Sequence, residues 1–171
     1  MKRYNPIEIE SKWQKKWDDS KLYEVKADPS KQKMYISGMF PYPSGAGLHT
    51  GHARSYTIVD SIARFYRQKG KNVLNPIGWD TFGLPAENYA IKTGISPQEA
   101  TKTNIANFKK QFKRLGISID WSREINTSNP EYYKLTQWIF RELYKKGLAY
   151  RKESYQWWCD NDKTVLANEQ V

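Results

Sequence analysis

Apolar residues along this chain recur every three to four positions in long stretches, and short apolar runs separate those stretches. In the first stretch, Ile9, Trp13 and Trp17 share one side of a helix, which predicts an amphipathic helix over residues 7–18. The turn-forming residues 28–30 then predict a break in the chain. Three large apolar side chains along one side of a helix most simply form a packing surface.

A strand–helix–strand series follows the break. Apolar residues predict strands over residues 33–38 and 72–75, and a helical pattern runs between them over residues 51–68. Thr50 is the expected N-cap of this helix, and Gly70 is expected just beyond its end. Two strands joined by one helix run parallel with a right-handed crossover. Ligands of such sheets bind beyond the carboxyl ends of the strands.

The expected buried stripe of this helix consists of Ile58, Ile62, Phe65 and Tyr66, with Val59 at its edge.

The remaining sequence predicts helices over residues 84–92, 97–115 and 130–146, a turn or short helix over residues 120–124, and a strand over residues 148–159. The helix at 97–115 has an apolar side formed by Ile105, Phe108, Phe112 and Leu115. Helices and strands therefore alternate, which favours an α/β fold.

Both histidines of the chain, His49 and His52, lie in a Pro- and Gly-rich loop between the first strand and the second helix. A helix start offers unpaired N–H groups and a partial positive charge, which favours phosphate. The alternative is a junction that only turns the chain, but two histidines within four residues weaken it. The glycine spacing matches neither the dinucleotide G-x-G-x-x-G motif nor a Walker loop.

The segment after the second strand, residues 76–88, is too apolar and too glycine-rich for a plain linker. It places the carboxylate of Asp80 between two large aromatic residues, Trp79 and Phe82. Asp80 can be a turn or cap residue. Because the segment follows a parallel strand, we prefer an anionic anchor for a substrate cation beside the phosphate site.

Composition limits the function classes. Hydrophobic residues make up 39% of the 171 residues and aromatic residues 15%, which is enough for a packed core. No apolar run approaches the ~18 residues of a membrane span, and no secretory signal is visible. The single cysteine, Cys159, excludes an internal disulfide and a zinc site of several cysteines, and fits a reducing cytosol. The net charge of +10 fits a polyanionic partner or a basic surface in solvent.

The string His49-Thr50-Gly51-His52 resembles the HIGH signature of class I aminoacyl-tRNA synthetases, with Thr in place of Ile. Further strings narrow the resemblance, at residues 41–45, 75–80, 82–87, 120–124 and 165–171. Together they resemble the N-terminal part of bacterial-type leucyl-tRNA synthetases over the whole chain. Thr81 departs from this pattern, in which Ala is common.

The resemblance implies the N-terminal half of a Rossmann-like parallel-sheet catalytic domain, with extra helices and the start of an inserted connective segment. It implies a helical extension at residues 1–31, the first half of the catalytic domain at 32–120, and a helix and strand leading into the insertion at 121–171. The family's second signature, a Lys-rich KMSKS loop, does not occur in these residues. We therefore expect a piece of a larger enzyme that cannot complete aminoacylation alone.

The resemblance also implies a reaction. The leucine carboxylate attacks the α-phosphate of ATP, giving leucyl-adenylate and pyrophosphate, and the leucyl group then passes to tRNA(Leu). His49 and His52 are the implied catalytic residues, because their rings stabilise charge at the reacting phosphorus. Asp80 is expected to hold the leucine ammonium with the Phe40 backbone. The implied leucine-binding residues are Met39, Phe40, Tyr42 and Asp80, and the implied ATP-binding residues are Pro41, Tyr42, Pro43, Ser44, Gly45, His49, Thr50, Gly51 and His52.

The implied partners are leucine, ATP with Mg²⁺, and tRNA(Leu), for a monomeric cytoplasmic enzyme with no membrane contact and no bound zinc. One alternative is specificity for isoleucine, valine or methionine, against which the loop at residues 41–44 and the pair Trp79-Asp80 argue. Another is a non-catalytic module that binds tRNA through its basic surface. That module would bind tRNA in a salt-sensitive manner and would have no ATP or leucine site.

Overall fold

The computed structural model describes residues 4–43 and 45–171. Contacts divide the chain into two compact units, one up to Tyr133 and one from Lys134 onward. The division at residues 31 and 120 that the sequence suggested stays a prediction.

The first unit contains four helices and four short strands among its described residues. The helices are α1 (Pro6–Asp19), α2 (Thr50–Gln68), α3 (Leu84–Thr93) and α4 (Pro97–Leu115), and the strands are β1 (Lys33–Tyr35), β2 (Asn72–Leu74), β3 (Gly78–Trp79) and β4 (Ile125–Asn126). A 3-10 turn spans Trp121–Arg123, within the predicted turn region. Helix α5 begins at Pro130 and ends at Lys145.

The β-α-β unit is confirmed. Strand β1 pairs in parallel with β2, with Met34 opposite Val73, and helix α2 connects them. Strand β1 is shorter than the predicted run, because after Tyr35 only the N–H of Ile36 still reaches the carbonyl of Leu74, at 2.9 Å. Strands β3 and β4 form a second parallel pair that the sequence analysis did not predict.

The core of the first unit lies where helices α2 and α4 meet the strand segments. Its fully buried side chains include Trp79, Phe108 and Phe112, and it continues through Tyr56, Ile77, Ile117 and Ile119. The predicted apolar side of α4 is confirmed at Phe108 and Phe112, whereas Leu115 is 46% exposed. The α2 helix is held to this core, so its first turn has a defined position.

Helix α2 buries a different side from the predicted one. Ile58, Ile62 and Phe65 are 54%, 44% and 52% exposed, so the predicted stripe is wrong. The buried residues are Tyr56, Asp60 and Ala63, which also recur with the helical period. Asp60 faces inward because its carboxylate accepts the N–H of Ser118 at 2.7 Å and also bonds Arg64 at 2.7 Å. Apolar periodicity gave no signal for this polar contact.

The second unit contains most of α5 and a hairpin of β5 (Trp157–Cys159) and β6 (Thr164–Leu166), which pair antiparallel. A 3-10 turn spans Asn168–Gln170. The predicted strand over residues 148–159 is therefore wrong except at its last three residues. Among the described residues, no helix is long and apolar enough to span a membrane.

Candidate functional site

The two histidines cap the start of helix α2. His49, not Thr50, is the N-cap residue. The Nδ1 atom of His49 accepts the backbone N–H of His52 at 3.4 Å, and the Nδ1 atom of His52 accepts the backbone N–H of His49 at 3.3 Å. This reciprocal pair has the form of a capping box, and it stacks the two rings at 3.8 Å between centroids and 27° between planes.

The capping box decides which nitrogen of each ring carries a proton. Because each Nδ1 accepts a hydrogen bond, the proton of the neutral ring lies on Nε2. His49 is exposed, whereas His52 is half-buried and its ring meets the edge of Phe108 at 5.9 Å. Burial, and then the neighbouring His49, lower the pKa of His52 below its ordinary value. The site therefore offers Nε2–H donors beside the positive end of a helix.

Gly51 makes room for the ring of His49. A Cβ at position 51 would lie 2.9 Å from the Nδ1 and Cε1 atoms of that ring. Carbon atoms normally approach to about 3.5 Å at closest, so a side chain there would push the imidazole off the helix start. The resemblance implies that Gly51 contacts ATP, and the structure adds that a glycine is also needed there to make room for the His49 ring.

A cleft of about 390 Å³ opens beside the two rings. Its lining residues are Gly38, Met39, Phe40, Pro41, Tyr42, His49, Gly51, His52, Ser55 and Tyr56. It thus brings together most of the residues that the sequence analysis assigned to ATP and leucine. Thr50 and Gly45 are not in the lining, the side chain of Pro43 is buried, and Ser44 lies outside the described residues.

Asp80 lies next to this cleft. Its backbone N–H donates to the carbonyl of Pro41 at 3.1 Å. Its carboxylate lies beside the hydroxyl of Tyr42, and this hydrogen bond and negative charge raise the pKa of the tyrosine. Asp80 is not part of the lining itself, but both residues that it contacts are. A negative charge and two imidazole donors therefore lie at the same end of the first strand.

Two further contacts, neither of which was predictable from local sequence patterns, shape the cleft. The hydroxyl of Tyr56 donates to the carbonyl of Met39, and its ring meets Phe112 at 4.7 Å. Burial raises the pKa of Tyr56, so its hydroxyl keeps its proton as a donor. The ring of Phe40 packs directly over Gly78. A buried tyrosine usually finds a partner for its hydroxyl, but only a correct assignment of the buried side of α2 would have revealed this one.

Comparison with known proteins gives concordant results. A family model, tRNA synthetases class I (I, L, M and V), matches residues 12–171. A leucine–tRNA ligase of Alkaliphilus oremlandii is 57% identical over 171 residues, which are 100% of this chain and 21% of that protein. The chain thus spans about a fifth of the length of this curated relative.

Two solved structures are also similar. The first is a ternary complex of Agrobacterium radiobacter K84 agnB2 LeuRS with tRNA and LeuAMS, with a TM-score of 0.89 and 41% identity over 99% of this chain and 22% of that one. The second is Mycobacterium tuberculosis methionyl-tRNA synthetase with methionyl-adenylate, with a TM-score of 0.68 and 26% identity over 81% of this chain and 26% of that one.

Proposed function

Because the chain belongs to the class I tRNA synthetases (I, L, M and V), we propose that the protein is a leucine–tRNA ligase and that this chain carries part of its activation site. The ligase would activate leucine with ATP, giving leucyl-adenylate and pyrophosphate, and then pass the leucyl group to tRNA(Leu). The 57% identity to a leucine–tRNA ligase supports leucine over the other three amino acids of the family.

The observation that carries the proposal is the arrangement at the end of strand β1. An aminoacyl-adenylate has an anionic phosphate and a cationic ammonium group a few atoms apart. The cleft is lined by the imidazoles of His49 and His52, at a helix start, and by Tyr42, whose hydroxyl contacts the carboxylate of Asp80. Each charge of the adenylate therefore meets a group of complementary character.

In the activation step, a leucine carboxylate oxygen forms a bond to the α-phosphorus of ATP. The bond from that phosphorus to the bridging oxygen breaks, and pyrophosphate leaves with the electron pair. The Nε2–H groups of His49 and His52 donate to phosphate oxygens as negative charge develops on them. The capping box holds both rings in place beforehand, so little reorganisation is needed during the reaction.

The loop that follows β1 forms the proposed leucine-binding end of the site. Asp80 is the proposed partner of the ammonium group, assisted by the backbone of Phe40, and Met39 and Tyr42 line the side-chain pocket. The hydroxyl of Tyr42 beside Asp80 orients the carboxylate. Because Asp80 also bonds the carbonyl of Pro41, a shift of this loop changes the ammonium site directly.

The ATP end includes Thr50 and Gly51 at the helix start, and the loop over residues 41–45. Mg²⁺ enters with ATP, where it neutralises phosphate charge. Among residues 4–43 and 45–171, no three His, Cys, Asp or Glu side chains form a cluster that could hold a metal. The metal is therefore proposed as part of the nucleotide substrate. A cytoplasmic location and a monomeric enzyme belong to the same proposal.

The experiment is leucine-dependent exchange of pyrophosphate into ATP by the protein expressed at its natural full length. Leucine is expected to stimulate exchange far more than isoleucine, valine or methionine. The His52→Asn variant keeps an acceptor at the position of Nδ1 but removes the Nε2 donor, so exchange should fall by about 10²–10³. Lys110→Gln, on an exposed part of α4, serves as the control.

Stronger stimulation by another amino acid would assign the protein to that specificity instead. Binding of tRNA without any amino-acid-dependent exchange would favour the non-catalytic module. The 171-residue chain alone is expected not to complete aminoacylation, which the transfer of labelled leucine to tRNA measures.

A further inference from the structure

Three amide side chains of helix α4 contact the loop that leads into the histidine pair. Asn104 donates to the carbonyl of Pro43 at 2.8 Å, and Asn107 donates to the carbonyl of Ala46. Gln111 accepts the N–H of Leu48 at 2.6 Å. We call Asn104, Asn107 and Gln111 the amide ladder.

The spacing of the amide ladder places it on one side of α4. Its positions i, i+3 and i+7 share one helical face. The backbone of residues 43–48 has neither helix nor strand structure in its described part, so its polar groups need side-chain or water partners. The ladder supplies such partners at three points along six residues.

The contact is close enough to constrain the loop sequence. A Cβ at Gly47 would lie 2.6 Å from the Nε2 atom of Gln111 and 3.0 Å from its Oε1 atom. Asn104 is 4% exposed, so its amide has exchanged water for the carbonyl of Pro43. If the carbonyl of Pro43 moved away, this buried amide would be left without a hydrogen bond, which is costly in free energy. The contact therefore favours a single loop conformation.

Helix α4 is itself anchored in the core. Phe108 and Phe112 are fully buried. Along the helix, Phe108 directly follows Asn107 and Phe112 directly follows Gln111. The ring of Phe108 also meets that of His52 at 5.9 Å. One rigid helix therefore contacts the loop before His49 and the ring of His52 together.

We propose that the amide ladder is a positioning device for the phosphate-binding histidines, which acts through the loop and touches no substrate. The Leu48 peptide precedes His49 directly, so the bond from its N–H to Gln111 helps to fix the direction in which His49 enters the helix. The effect of the ladder on kinetics rests on the proposed function. Its effect on the position of the loop can be measured whether or not the protein is a ligase.

The kinetic test uses the full-length protein and the Gln111→Met variant, which keeps the side-chain volume but removes the acceptor. KM for ATP should rise about tenfold in pyrophosphate exchange, which lowers kcat/KM for ATP by the same factor, the effect of roughly one hydrogen bond, while KM for leucine stays unchanged. A residue that only stabilises the fold would lower the active fraction, and KM for ATP would not change. Lys110→Met, one position away on an exposed part of α4, should leave all constants unchanged.

The structural test is hydrogen exchange at the Leu48 amide. Exchange should accelerate at least tenfold in Gln111→Met and should stay slow in Gln111→Glu, whose carboxylate can still accept the bond. If Gln111→Met does not fold, Gln111→Ala, which removes the same acceptor for the Leu48 N–H, is examined by the same two measurements. An unchanged Leu48 exchange rate in the folded variants would overturn the proposal.

The two proposals fail in different ways. Faster Leu48 exchange in the variant, combined with no leucine-dependent activity in the unmodified protein, would refute the ligase but retain the ladder. Activity in the unmodified protein with an unchanged KM for ATP in the variant would refute the ladder but retain the ligase.

Discussion

The substitution Gly78→Ala tests how the leucine end of the site is built. A Cβ at position 78 would lie 2.0 Å, 2.3 Å and 2.4 Å from three carbon atoms of the Phe40 ring. Carbon atoms in contact are about 3.5 Å apart or more, so the ring must retreat by roughly 1.5 Å. Gly78 is buried and paired with Ile125, so its own backbone has little freedom to yield.

Displacement of Phe40 has two expected consequences. The free energy of unfolding should fall by about 1–3 kcal/mol, the usual cost of forcing extra atoms into a packed site. KM for leucine should rise about tenfold, equivalent to ~1.4 kcal/mol, because the Phe40 backbone moves away from the ammonium. The bond from Asp80 to Pro41 ties the same loop to β3, so both partners of the ammonium are disturbed.

Denaturant unfolding and pyrophosphate-exchange kinetics measure these two effects. The matched control for stability is Gly45→Ala, because a Cβ there meets nothing within 4 Å. Replacing Phe40 by Ala in the Gly78→Ala background removes the obstructing ring, so the double variant should be more stable than the sum of the single effects predicts. If Gly78→Ala unfolds at the same denaturant concentration as Gly45→Ala, the packing argument is wrong.

Three further predictions concern single groups. The pKa of His52 in the folded protein lies below the ordinary 6.5 of the unfolded chain. As the pH falls, the unfolded chain therefore binds this proton at a higher pH than the folded protein does. The free energy of unfolding should decrease as the pH drops below about 6.5 and through the lowered pKa of the folded state. Urea unfolding at several pH values should show this loss, and His52→Asn should reduce it. Asp80→Asn should return the pKa of Tyr42 towards 10.0, which NMR titration of the tyrosine ring carbons would detect, and an unmoved pKa would contradict the contact. Tyr56→Phe should lower the free energy of unfolding by about 1 kcal/mol, because it leaves the carbonyl of Met39 unpaired. An unchanged free energy of unfolding would show that this bond does not stabilise the fold.

Local signals were sufficient to predict most helices of the first unit. Ser96 accepts the N–H of Glu99 at 3.2 Å as an N-cap should, and Gly116 ends the same helix with a φ of 73°. Asn129 likewise bonds the N–H of Glu131 at 3.0 Å at the start of α5. Such caps depend on residues close in sequence, so they can be read without knowing the fold.

Contacts between distant residues were not predictable in this way. Strands β3 and β4 have two residues each, which is too short for any periodicity, yet their pairing places Asp80 beside the loop. The buried side of α2 depends on Ser118, which lies 58 positions after its partner Asp60. The sequence suggested Thr50 as N-cap from its hydroxyl, but the imidazole of His49 accepts the N–H of His52, so the cap lies one residue earlier.

The most direct test of the central claim is the dissociation constant of a non-hydrolysable leucyl-adenylate, leucyl-sulfamoyl adenylate, measured by calorimetry with the full-length protein. The account predicts binding that weakens at least tenfold in His52→Asn and at least tenfold in Asp80→Asn, with Lys110→Gln unchanged. Equal affinity in all four proteins would contradict the claim that the capped histidine pair and Asp80 together form the site.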